Sequence, residues 1–147
     1  MPKTLISLVA TLLICVAFSC KTRQPTEQTD FGNLYKIASS FDKNSGIFSA
    51  TVSLEKTLHA YALGEKTGQP VSLEISPKNG WAADGPANIP RGVVKKLGAL
   101  GEATVLEGSF TISQKLKAGL GPGEALLHLQ VCSDTACDRP RVHHIKL

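Results

Sequence analysis

Apolar and polar residues alternate along most of the chain after residue 45. In Gly46–Leu54 (GIFSATVSL), Phe48, Ala50, Val52 and Leu54 alternate with Ser49, Thr51 and Ser53. A period of two predicts a half-buried strand. Pro70–Pro77 (PVSLEISP) repeats the pattern between bracketing prolines, with Val71, Leu73 and Ile75 on one face. Ala103–Lys117 predicts two strands joined by a turn at Glu107-Gly108. Glu124–Cys132 (EALLHLQVC) predicts a single strand with Leu127, Leu129 and Val131 on one face and Leu126, His128, Gln130 and Cys132 on the other. Arg139–Leu147 predicts a last strand. Phe31–Ser40 is weaker, a short first strand or a turn, and Leu58–Leu63 is short and mixed. Lys78–Arg91 is rich in turn residues around Trp81, a core or loop-packing side chain, and Gly119–Gly123 is a tight connector. Val93–Glu102 is apolar but broken by glycines, which predicts a loop. No stretch sustains a helical period with caps. About seven or eight short strands at roughly ten-residue spacing predict an all-β sandwich or barrel.

The N-terminus follows a different rule. Lys3 precedes an apolar run, Leu5–Phe18, interrupted only by Ser7 and Thr11, and Ser19 follows. This is the layout of a signal peptide, and the run is shorter than the roughly 20 apolar residues that span a bilayer. Ala17-Phe18-Ser19-Cys20 resembles the lipobox of bacterial lipoproteins, in which lipid is attached to the cysteine after the cleavage point. Lys21–Asp30 is polar, contains Pro25 and holds no core-forming residue, so it predicts a flexible spacer. The expected organisation is a signal peptide over 1–19, then the lipidated Cys20, the spacer and a first element over 20–45, then a β-domain over 46–147. The protein is expected in the bacterial cell envelope, exported and held to a membrane by the lipid, facing the periplasm. Secretion without a lipid is the alternative.

Charge and composition narrow the function classes. The formal net charge is +4, and loss of Lys3 with the signal leaves 4 − 1 = +3. Lysines and arginines are dispersed and aromatic residues make up 5% of the chain. That gives no basic stripe or stacking platform, so no nucleic-acid partner is expected. There is no G-x-S-x-G or H-E-x-x-H motif for hydrolysis, and no cofactor is expected.

Cysteine usage carries the candidate chemistry. Cys15 lies in the signal and Cys20 is the lipidation candidate, so Cys132 and Cys137 remain for the domain. Export would place them in an oxidising compartment, where paired cysteines persist as disulfides or cycle as redox couples. Ser133-Asp134-Thr135-Ala136 between them favours a hairpin loop. Directly opposed Cβ atoms lie roughly 4.5–5.5 Å apart, close to the roughly 3.5–4.5 Å a disulfide needs. The pair can therefore close, as an inert bridge pinning the hairpin or as a redox centre. C-x4-C is not the C-x-x-C of thioredoxin-like motifs. His128, His143 and His144 keep a metal site open as a third reading, but His143 and His144 are adjacent and would face opposite ways on a strand. No metal ligand set is assigned.

Gln130–Leu147 (QVCSDTACDRPRVHHIKL) resembles the end of the N-terminal periplasmic domain of the thiol:disulfide interchange protein DsbD family: a strand, a cysteine, a short polar loop, a second cysteine, a proline step and a last strand. Leu58-His59-Ala60-Tyr61, Leu97–Phe110 and Ala118–Cys132 resemble further family segments in the same order, so the likeness covers about Gly46–Leu147. The resemblance implies an immunoglobulin-like β-sandwich that passes reducing equivalents through Cys132 and Cys137 to or from thioredoxin-like envelope partners. It implies that His59 and Tyr61 wall the site, and that Lys95–Gly101 is a cap carrying Leu97 and Leu100. Arg139 and Arg141 are candidate modulators of the thiolate. The chain departs from the family in having one proline, Pro140, after the second cysteine, leucines where the cap usually has an aromatic, and His59 where the first aromatic stands. The likeness ends at Leu147 without the family's membrane and thioredoxin-like domains, which implies a stand-alone version that needs a partner. A structural or partner-binding envelope lipoprotein with an inert disulfide is the alternative function.

Overall fold

The computed structural model describes residues 31–147. The expected signal peptide, the lipidation at Cys20 and the spacer lie outside the described residues. Within them the protein is an all-β, immunoglobulin-like sandwich with no α-helix. Its strands are β1 (Tyr35–Asp42), β2 (Ile47–Leu54), β3 (His59–Tyr61), β4 (Ser72–Ile75), β5 (Ala82–Ala83), β6 (Val93–Lys96), β7 (Glu102–Glu107), β8 (Ser109–Lys117), β9 (Glu124–Leu129), β10 (Val131–Cys132) and β11 (Arg141–Lys146). They form three sheets with orders β1-β2-β8-β5, β10-β3-β7-β6 and β11-β9-β4, and all neighbouring strands run antiparallel.

The alternation in β2 and β8 does what its period dictates. Phe48, Ala50 and Val52 from β2 and Phe110, Ile112 and Leu116 from β8 enter the core. Thr51 and Thr111 pair on the outer face through their hydroxyls at 2.8 Å. Residues from all three sheets join in one hydrophobic cluster, including Ala60, Val71, Leu106, Ala125, Leu127, Leu129 and Val131. Trp81 belongs to it, packs edge-on against Phe41 at 5.4 Å and donates its indole N–H to the carbonyl of Gly121 at 3.0 Å. The glycine-rich connector is needed there: a Cβ at Gly119 or Gly123 would lie 2.5 to 2.8 Å from Trp81 atoms.

Four expectations are corrected. The weak element after Phe31 is an eight-residue strand, β1, paired with β2 from Tyr35↔Leu54 to Asp42↔Ile47. Its alternation is blurred because it is an edge strand whose residues are mostly solvated. Val93–Glu102 is not simply a loop: β6 pairs with β7, and only 97–101 turn between them, through a 3-10 turn at Gly98–Leu100. Glu124–Cys132 is not one strand. β9 pairs with β4 and β11, whereas β10 pairs with β3. The chain changes sheets at Gln130, whose side chain accepts from the Gln69 backbone N–H at 2.8 Å and donates to the Asp138 carbonyl at 3.0 Å. The short β5, β6 and β10 bring the strand total to eleven, above the seven or eight expected.

Candidate functional site

The sheet β10-β3-β7-β6 is covered on both faces, and period two decides what each face holds. Ala60, Leu106 and Val131 turn into the main cluster. Tyr61, Val105, Ala103 and Cys132 turn the other way and form a second, small cluster closed by Leu97. This explains why His59–Tyr61 shows no alternation: all three residues are buried, with Ala60 in the main cluster and Tyr61 in the small one closed by Leu97.

Cys132 and Cys137 are joined by a disulfide with their Cα atoms 4.0 Å apart. The two face each other in an isolated antiparallel bridge. Hydrogen bonds flank the pair rather than joining it: Ser133 N–H to the Ala136 carbonyl at 2.7 Å and Asp138 N–H to the Val131 carbonyl at 2.8 Å. This is the non-hydrogen-bonded type of cross-strand pair, which brings side chains closest. Ser133 holds the turn, its hydroxyl accepting from the Ala136 N–H at 3.1 Å. The two cysteines differ in exposure, since Cys132 is fully buried and Cys137 is exposed.

Tyr61 and Leu97 line the pair. The Tyr61 hydroxyl lies 3.8 Å from Cys137 Sγ, where a disulfide sulfur can only accept, so the phenol donates. Burial raises the Tyr61 pKa and the nearby Glu65 raises it further. Leu97 is 1% exposed and packs in the cluster of Cys132, whereas Leu100 is 59% exposed and stays outside it. The turn is held by the Leu97 N–H bonding the Gly101 carbonyl at 2.7 Å and by Gly101 at φ +81, a conformation glycine adopts without strain. Glu65 ties the loop after β3 to β7. Its carboxylate accepts from the backbone N–H groups of Thr104, Lys66 and Thr67 and from the Thr67 hydroxyl, which lowers its pKa to about 2.

His59 stands opposite Cys132 in the β3–β10 register and opposite Glu107 in the β3–β7 register. It is fully buried, and its ring meets that of Tyr61 edge-on at 5.7 Å. Burial lowers its pKa, the charge of Lys95 lowers it further, and Asp134 and Glu107 oppose the shift. Lys95 brings a positive charge to the tip of the hairpin. Its ammonium reaches Glu107 at 2.8 Å and Asp134 at 3.1 Å, bonds that raise its pKa. It thereby links the stem of the cap to the tip of the cysteine hairpin.

Both arginines meet Asp138 at the end of the hairpin. Arg141 bonds the buried carboxylate of Asp138 at 2.8 Å, so much of its charge is offset there. Arg139 is exposed, and its backbone N–H bonds the same carboxylate at 2.8 Å. Sequence reasoning placed Lys95 in the cap but missed its charge pairing, and treated Asp134 only as a turn former. No local signal joins residues 39 positions apart. The histidines that suggested a metal site are scattered. His128 faces Glu74 at 3.7 Å, His143 bonds the Tyr35 hydroxyl at 3.1 Å and His144 bonds Glu124 at 3.0 Å. The sheet change at Gln130 separates His128 from Cys132, and among the described residues no group of three His, Cys, Asp or Glu could hold a metal ion.

No protein-family model matches the chain, and no curated protein matches it in sequence. Solved structures do match in fold. The reduced N-terminal domain of DsbD from Neisseria meningitidis is similar over 81% of this chain and 88% of its own, with a TM-score of 0.61 and 12% identity. The complex between the DsbD and PilB N-terminal domains of the same organism matches over 76% of this chain and 80% of that one, with a TM-score of 0.58 and 13% identity. The N-terminal periplasmic domain of ScsB from Proteus mirabilis matches over 77% of this chain and 44% of that one, with a TM-score of 0.56 and 13% identity. The likeness is one of fold. It bears out the immunoglobulin-like architecture that the resemblance of the sequence to the DsbD N-terminal domain implies.

Proposed function

We propose that this protein carries out thiol–disulfide exchange in the bacterial cell envelope, with Cys132 and Cys137 as its redox pair. The carrying observation is the asymmetry of the pair: one cysteine exposed, its partner buried in the cluster that Leu97 closes, in a fold shared with DsbD N-terminal domains. An incoming group can reach Cys137 and not Cys132. In the reducing direction, the Cys137 thiolate attacks a partner disulfide and expels one partner thiolate. Cys132 then attacks Cys137 Sγ, re-forms the internal bridge and expels the second partner thiolate. Two electrons pass to the partner, and the two protons of the pair go to the partner's thiols. Tyr61 and Leu97 wall the pair, and Leu100 lies on the outside of the cap. Arg139, Arg141 and Lys95 are the cationic candidates for modulating the thiolate, since nearby positive charge lowers a thiol pKa.

The complex of the DsbD and PilB N-terminal domains supports a protein partner, here a thioredoxin-like envelope protein. Anchoring through a lipid on Cys20 belongs to the same reading and rests on the lipobox-like Ala17–Cys20.

The test is the reduction potential of the pair in the purified protein, by equilibration with glutathione or thioredoxin. A value within roughly −120 to −270 mV, the range of known exchange proteins, is expected. A bridge with a potential below about −300 mV is a structural one and sinks the exchange function. In a positive case Cys132→Ala leaves the accessible sulfur able to form a mixed disulfide but not to resolve it, and trapping with that variant identifies the partner.

A further inference from the structure

His59 is the polar side chain in the fold whose environment is least explained. It is fully buried, and among the described residues neither ring nitrogen has a hydrogen-bond partner. Its Nδ1 lies 4.0 Å from Asp134 Oδ1, too far for a hydrogen bond. Leaving a buried polar group unpaired costs about 1–3 kcal/mol, so such a residue calls for an explanation. It is flanked by Cys132 across the β10 register, Glu107 across the β7 register, Tyr61 two residues along β3, Lys95 on β6 and Asp134 at the hairpin tip. Four of these do not complete it. Tyr61 presents its ring edge and sends its hydroxyl to Cys137, and Lys95 and Glu107 bond each other. Asp134 bonds Lys95. Cys132 remains, and directly opposed residues of an antiparallel pair have Cβ atoms about 4.5–5.5 Å apart on the same face.

In the disulfide, Cys132 has no proton to give. In the dithiol it carries an S–H facing an imidazole that lacks a partner. Building on the exchange reading above, we propose that His59 is the proton acceptor of Cys132: it receives the S–H hydrogen bond in the reduced protein and takes the proton when Cys132 resolves a mixed disulfide. In that step the Cys132 S–H bond breaks and its proton passes to the His59 ring. The Cys132 sulfur bonds Cys137 Sγ, and the bond from Cys137 to the partner sulfur breaks with its electron pair leaving on the partner. The proton then moves from the imidazolium, which the Asp134 carboxylate faces, to the departing thiolate or to solvent. The depressed basicity of His59 agrees with this: the ring is neutral at pH 7 and keeps a lone pair for the thiol. Without an acceptor, a thiol buried in apolar surroundings is a poor nucleophile because its pKa rises.

The experiment is stopped-flow reaction of the reduced protein, carrying Cys15→Ser and Cys20→Ser so that only the pair reacts, with dithiobis-nitrobenzoate. The first coloured thiolate is released when exposed Cys137 attacks, the second when Cys132 resolves the mixed disulfide. The second phase is expected to be nearly independent of pH between about 6.5 and 9 in the parent. In His59→Phe it is expected to be about 100-fold slower at pH 7, within the usual span for a positioned proton acceptor, and to rise about tenfold per pH unit. His59→Gln, which keeps an acceptor but cannot carry the proton, is expected to behave as His59→Phe does. The first phase is expected to stay within about threefold in both variants. A second phase unchanged in rate and pH profile overturns the proposal, as does an equal slowing of both phases. Should the variants fail to fold, nitrogen-15 spectra of the parent decide. One His59 ring nitrogen is expected to become a hydrogen-bond acceptor when the bridge is reduced, and a ring unchanged by reduction overturns the proposal. A potential below about −300 mV sinks the exchange function without altering either phase, so the two failures are distinguishable.

Discussion

Gly68 shows how much of the site depends on single residues remote from the cysteines. A Cβ there would lie 2.0 Å from Tyr61 Cε2 and 2.9 Å from Gln130 Oε1. The Tyr61 ring fills the space that the missing side chain leaves, and its hydroxyl thereby reaches Cys137. Gly68→Ala must push the ring or the loop aside. Overpacking of this kind costs about 1–3 kcal/mol, which urea unfolding measures as a lower midpoint. The same change is expected to speed reduction of the bridge by dithiothreitol, because the displaced hydroxyl no longer packs against one side of the Cys137 sulfur. Equal reduction rates in parent and variant would show that Tyr61 does not shield Cys137. Gly68 could not have been singled out from the chain, since its role depends on the path of the loop from β3 to β4. Tyr61 and His59 were singled out by the resemblance to the DsbD family, as residues two apart, and not by any period. Their burial was not legible, because a three-residue strand is too short to show a period.

Among the elements, the turn of 97–101 does what neither of its flanking strands could. β6 and β7 bring Leu97 over Cys132, Tyr61 and Val105, while Leu100 projects away from them. Both leucines stand in the same apolar, glycine-broken stretch, and only the five-residue turn separates their fates. Leu97→Ala is expected to cost about 2–3 kcal/mol, at the low end of buried leucine truncations because the site is small and at the edge of the fold. It is also expected to raise the rate at which Cys132 is alkylated in the reduced protein. Leu100→Ala is expected to change stability by less than about 0.5 kcal/mol, as exposed substitutions do. If the two variants match in alkylation rate, the turn does not act as a cap. The sheet change after β9 is the element that sequence could least show. The apolar pattern runs unbroken from Ala125 to Cys132, and the break is made by Gln130 bonding Gln69 and Asp138 across the fold. The strands of strict alternation, β2 and β8, were legible because each has one face on the core and one in water.

For the molecule as a whole, the site and the core are separate. The main cluster draws on all three sheets and includes neither cysteine, while Cys132 sits in a second cluster on the far face of one sheet. A cycle of reduction and oxidation requires that separation, because the protein must stay folded with the bridge open. The bridge closes a loop with a sequence separation of only 5. The chain-entropy relation gives such a loop about 2 kcal/mol of stabilisation, against stabilities of about 5–15 kcal/mol for typical domains. The reduced protein is therefore expected to keep its near-ultraviolet circular dichroism. Its urea midpoint should fall by an amount equivalent to about 2 kcal/mol, with an unchanged slope because the surface exposed on unfolding is nearly the same. Loss of the folded signal on reduction would mean that the hairpin bridge holds the sandwich together. A bridge of that kind cannot open and close in each turnover, and its role would then be structural.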